Sequence, residues 1–77
     1  MKVNVHLHGI LRDKLPPEAR GRGTVDLDEG ATVGDLLAQL GIKRRVVVAL
    51  NDEHEPDDMH ILRDGDQVAI YTVIGGG

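Results

Sequence analysis

Cysteine is absent from this 77-residue chain, which leaves no disulfide, no thiolate nucleophile and no iron–sulfur ligand. Tryptophan and phenylalanine are absent as well, and Tyr71 is the only aromatic residue, so Val, Leu and Ile must fill the core and a deep aromatic ligand cage is excluded. No apolar run approaches the ~20 residues that span a bilayer, and no hydrophobic signal segment follows Met1, so no membrane is expected and the cytoplasm is the expected location. Basic charge is scarce: nine Lys and Arg face thirteen Asp and Glu, a formal net charge of −4, which disfavours nucleic-acid phosphate as a partner. With 40% hydrophobic and 29% charged residues, the chain is expected to form one small globular domain.

What is present in strength lies at the end. Gln67-Val68-Ala69-Ile70-Tyr71-Thr72-Val73-Ile74 is β-branched, aromatic or aliphatic at nearly every position, which suits a strand buried on at least one face. It runs straight into Gly75-Gly76-Gly77. Glycine contributes no side chain to a core and loses the most freedom on ordering, so a glycine run is either a frayed end or a working part. The absence of any polar linker between strand and glycines favours the second. The expected division is a domain over residues 1–74 and a flexible tail over 75–77, able to reach roughly 10 Å and to pass through a slot that no other residue would fit.

From the beginning, Lys2-Val3-Asn4-Val5-His6-Leu7-His8 alternates with period two and predicts a strand with Val3, Val5 and Leu7 inward. His6 and His8 share the other face, but two histidines make an incomplete metal site, and no metal is expected. Gly9 to Leu15 predicts a turn with a short helical piece anchored by Ile10, Leu11 and Leu15, halted by Pro16-Pro17. Glu18 to Gly23 is expected to be a loop; its Arg20-Gly21-Arg22-Gly23 lacks the Gly-Lys-Ser/Thr ending of a phosphate-binding loop, so the chain alone should not bind ATP. Thr24 to Asp28 predicts a second strand hairpinned to the first. Thr32 as N-cap, with Val33, Leu36, Leu37 and Leu40 on one stripe and Gly41 closing, predicts the main helix.

Val46-Val47-Val48-Ala49-Leu50 is apolar on both faces and is expected to be a central strand. The preceding Lys43-Arg44-Arg45 reads as solvated, or as a contact for an acidic partner or substrate. The carboxylates of the Asn51–Asp58 turn lack calcium-loop spacing. Met59 to Leu62 predicts a helical turn at the core edge, and Asp64-Gly65 a tight turn into the last strand. The element order gives an α+β fold: a mixed sheet of four to five strands on one main helix, first and last strands parallel at its centre.

Leu62-x-Asp64-Gly65-Asp66-x-Val68, an apolar strand and terminal glycines, with Leu11-Arg12, Thr32-Val33-Gly34-Asp35-Leu36-Leu37 and Val48-Ala49-Leu50-Asn51, together resemble the ubiquitin-like sulfur carriers of the ThiS/MoaD family. The resemblance implies the β-grasp fold and a role as carrier rather than enzyme. It implies that an adenylating enzyme of the MoeB/ThiF type uses ATP to activate Gly77, that a sulfur donor then makes a thiocarboxylate there, and that Gly76 allows the close approach. Gly75 lengthens the arm. The recipient would be the large subunit of molybdopterin synthase, favoured by the long Gly9–Gly23 segment and Leu11-Arg12, or thiazole synthase. A ubiquitin-like modifier using the same tail, and a plain binding module with a frayed end, remain alternatives. No cofactor is expected on the carrier itself. Partners are expected to dock on Val47, Ala49, Ala69, Tyr71 and Val73, which alternate with core positions.

Overall fold

The computed structural model describes residues 1–52 and 55–73. Strand β1 (Lys2–Leu7) buries Val3, Val5 and Leu7, as its alternation requires. It pairs antiparallel with β2 (Arg22–Asp26), from Lys2 opposite Asp26 to His6 opposite Arg22, and parallel with β4 (Gln67–Thr72), from Asn4 opposite Gln67 to Leu7 opposite Ile70. Strand β3 (Val46–Leu50) pairs antiparallel with β4. The resulting order, β2-β1-β4-β3, is the mixed β-grasp sheet expected, with four strands and the parallel first and last strands at its centre.

One helix covers the inner face. α1 (Val33–Gln39) begins with a capping box: the Asp35 backbone N–H donates to Thr32 Oγ1 at 3.2 Å and the Thr32 N–H donates to Asp35 Oδ2 at 2.9 Å. Val33 and Leu36 are fully buried, and Leu37 and Leu40 pack at the margin of a core built from Val3, Leu7, Val68 and Ile70. A helix of two turns is unstable alone, so this stripe against the sheet is what holds it.

Several expectations are corrected. β3 is an edge strand, not a central one; its two apolar faces reflect a core side (Val48, Leu50) and a half-exposed outer side (Val47, Ala49), and neither depends on having two neighbours. β2 starts at Arg22 rather than Thr24, because Gly23 pairs with Val5; Leu27 is buried beyond the strand, where its N–H donates to the Met1 carbonyl at 2.8 Å. The expected loop before it contains a 3-10 turn (Pro17–Ala19), and Gly21 sits at φ 81 with its carbonyl accepting from Leu7 N–H; a Cβ there would strike the Leu7 carbonyl. The Gly9–Lys14 segment is a 3-10 helix in which Leu11 anchors, while Ile10 is 58% exposed.

Met59 to Leu62 forms no helical turn. The segment runs alongside the start of α1, with the Val33, Gly34 and Leu62 N–H groups donating to His60, Asp58 and Ala31 carbonyls at 2.9–3.0 Å. Of its apolar residues only Leu62 enters the core. β4 ends at Thr72; Ile74, expected as its last residue, and the glycines of the tail lie outside the described residues.

Candidate docking face and tail

Period two on β3 and β4 turns Val48, Leu50, Val68 and Ile70 inward and leaves Val47, Ala49, Ala69 and Tyr71 on the outer face. The register sets them side by side, Val47 opposite Tyr71 and Ala49 opposite Ala69. Val73 follows β4 at 48% exposure, and Tyr71 is 40% exposed. Four of the five residues expected from the sequence to dock a partner, Val47, Ala49, Ala69 and Tyr71, therefore share one half of one sheet face, and Val73 follows where the chain leaves β4.

The neighbouring half comes from β1. His6 lies opposite Ala69, and His8, just past the strand, donates its N–H to the Ile70 carbonyl at 3.0 Å. That bond places the His8 ring flat on Tyr71, with centroids 4.2 Å apart and planes at 12°, while the His6 and His8 rings stand 4.0 Å apart at 41°. Sequence reasoning placed these rings outward but did not bring them together; the signal was the parallel pairing of β1 with β4, which puts outward residues of both strands in adjacent rows. His8 Nε2 is the one buried side-chain polar atom among the described residues with no hydrogen-bond partner. Farther toward β2 the face becomes a polar depression of about 620 Å³, lined by Asn4, His6, Arg22, Thr24 and Gln67.

Partial burial, reinforced by the positive charges that His8, Arg22 and Arg12 bring near, holds the His6 pKa below the ordinary histidine value. The native state thus binds its proton less readily than the unfolded chain. The His6 contribution to stability is fully present above the ordinary value and is lost as pH falls through the lowered one. Ring-proton shifts followed against pH should give His6 a midpoint below that of a free histidine; a midpoint at or above it would contradict the packing described.

Among the described residues no group of three His, Cys, Asp or Glu is placed to hold a metal ion, and no helix is long and apolar enough to cross a membrane. What the site presents is an apolar, ring-lined surface beside the strand that leads into residues 74–77. A family model described as the ThiS family matches residues 5–77. The chain belongs to the ThiS family. Among its relatives, the molybdopterin synthase sulfur carrier subunit of Chlamydomonas reinhardtii is 40% identical, over 70% of this chain and 76% of the relative. The sulfur carrier protein ThiS of Escherichia coli is 38% identical, over 62% of this chain and 79% of the relative. A solved structure named putative molybdopterin converting factor, subunit 1, from Pyrococcus furiosus superposes with a TM-score of 0.76 at 22% identity, covering 95% of this chain and 99% of that one, which establishes the ubiquitin-like β-grasp fold for this ThiS-family chain.

Proposed function

We propose that this chain, a sulfur carrier of the ThiS/MoaD type, bears its sulfur on Gly77 and delivers it in molybdopterin synthesis. A terminal carboxyl has a pKa near ~3.5, so at neutral pH it is an anion and a poor electrophile. A MoeB/ThiF-type adenylating enzyme converts it with ATP to the acyl-adenylate, releasing pyrophosphate; sulfur supplied at the sulfide level, as hydrosulfide, then attacks the acyl carbon, AMP leaves, the proton goes to solvent and a thiocarboxylate remains. That sulfur is the nucleophile delivered to the large subunit of the synthase, and the carrier itself supplies no acid, base or metal. The observation that carries this reading is the outer face of Val47, Ala49, Ala69, Tyr71 and Val73, which adjoins the chain's path toward Gly75, Gly76 and Gly77. Docking there aims the tail.

Molybdopterin is favoured over thiazole synthesis as the destination by the longer share of the chain matched in the molybdopterin relative. The direct test is the intact mass of protein purified from its native host. A gain equal to one oxygen exchanged for one sulfur, localised to Gly77, is expected; an unmodified terminus under conditions that induce the pathway would argue for another role. A second prediction concerns the face. Val47→Asp puts a charge among apolar neighbours on the outer side of an edge strand, so binding to the synthase subunit should weaken at least ~10-fold with the fold retained. Loss of the folded state in that variant would place Val47 in the core instead.

A further inference from the structure

The cations of this chain are distributed unevenly. Four of them, Arg12, Lys14, Arg20 and Arg22, come from the 3-10 helix after β1 and the approach to β2; three more, Lys43, Arg44 and Arg45, precede β3. Both segments sit at the same end of the sheet, because β1 and β4 run toward it and β2 and β3 start from it. This is the end at which β4 finishes: Val46 pairs with Thr72, and Gly9 packs on the Thr72 side chain. The two segments also touch. Lys14 Nζ donates to the Gly41 carbonyl at 3.1 Å, and Lys14, Lys43 and Arg44 line one depression of about 420 Å³, while Arg12 and Arg20 line another of about 350 Å³.

Seven of the nine Lys and Arg thus lie along the end of the sheet at which β4 exits, Lys14 beside Lys43 and Arg44, with Arg22 on the opposite edge strand. The same segments hold just two carboxylates, Asp13 and Glu18. All seven are exposed. The one ion pair among the described residues, Lys2–Asp26, lies at the opposite end, where Asp28, Glu29, Asp64 and Asp66 also gather. Asp58 reaches the rim beside Lys43 and Arg44 without pairing to either. A chain of net charge −4 therefore presents a positive collar around the place where it leaves the sheet.

We infer that this collar is a docking surface for a protein whose tail-accepting cleft is rimmed with Asp and Glu, and that it steers the carrier tail-first. The collar is continuous with Val47, Tyr71 and Val73, apolar side chains that a protein surface would cover and a nucleic-acid backbone would not. Its charges are spread over two segments rather than focused into a cradle, which suits a broad acidic rim better than one small anion. A positive exit and a negative far end give the molecule a dipole, so long-range attraction selects the orientation in which the β4 exit arrives first. The identity of the partner as the adenylating enzyme rests on the carrier reading; the collar and the sign of its partner do not.

The experiment has two arms. Stopped-flow association of the full chain with the adenylating enzyme of the same organism should slow steeply as salt rises. The triple variant Lys43→Glu, Arg44→Glu, Arg45→Glu should associate roughly 10-fold or more slowly at low salt, with a flatter salt dependence and an unchanged melting temperature. Arg63→Glu, a change of the same sign at the far end, should leave the low-salt rate within about twofold of the parent. A triple variant that associates like the parent overturns the inference. If the parent shows no ATP–pyrophosphate exchange with that enzyme, the carrier reading fails separately, and the second arm decides the collar: amide shifts of the labelled chain on adding a hexa-aspartate peptide should cluster at residues 12–22 and 43–45. Shifts spread evenly over the surface, or none, overturn it.

Discussion

One alanine appended after Gly77 is expected to abolish activation while leaving the melting temperature where it was. The proposed chemistry needs a carboxylate carried by a residue without Cβ, because the adenylating site must close around the acyl carbon and any side chain would meet its walls. The extension moves the carboxylate one residue outward and sets a methyl beside it. Among the described residues the buried set runs from Val3 to Ile70, and a glycine has no side chain to add to it. ATP–pyrophosphate exchange with the adenylating enzyme should therefore fall to background, and the protein should stay unsulfurated in cells. Full exchange by the extended chain, with its added alanine still present by mass, would remove Gly77 from the mechanism.

The largest effect on stability is expected from Leu36→Ala. Leu36 is fully buried and stands in the middle of the stripe by which α1 covers the sheet. Truncating a leucine in such a place costs about 2–5 kcal/mol, through lost transfer energy and the cavity left behind. In a domain this small each kcal/mol lowers the midpoint by roughly 4–8 °C, and total stability is only about 5–15 kcal/mol, so a fall of at least ~10 °C is expected and much of the margin goes with it. Leu37→Ala, at a half-buried position on the same helix, should cost distinctly less. Thermal melts of the two variants compare them directly; equal losses would mean that α1 is seated differently on the sheet.

The elements that could be read from sequence are those whose determinants are local. The alternation of Val3, Val5 and Leu7, the Thr32 N-cap and the stripe through Val33 and Leu36 each specify structure within a few residues, and each is found as expected. The outer face was legible for the same reason, since period two assigns Val47, Ala49, Ala69 and Tyr71 to one side of their strands whatever the strand order. What was not legible depends on pairing between distant residues. β3 reads as central because composition reports burial, not the number of neighbours. Met59 to Leu62 was expected as a helical turn, but a turn closed by His60 N–H on the Asp57 carbonyl, backbone bonds to residues 31–34 and a bridge from Ile61 to Thr32 set its path instead. The stack of His8 on Tyr71 and the placing of Arg22 and Lys43–Arg45 at one end of the sheet both follow from register, which no window of sequence contains.

β4 lies between β1 and β3, which do not touch each other across the sheet. During synthesis the first sixty-odd residues can emerge with β1, β2, α1 and β3 all present, and still have no continuous sheet to close. Residues 67–72, inserting between strands made far earlier, join the two halves at once, a non-local step of the kind that slows folding. The outer face is assembled in the same step, because Ala69 and Tyr71 join Val47 and Ala49 only when β4 inserts. A chain in which β4 has not inserted therefore lacks the paired outer face proposed for docking. Under the proposed function, the topology would act as an inspection gate, because the docking face exists only in molecules whose sheet is already closed.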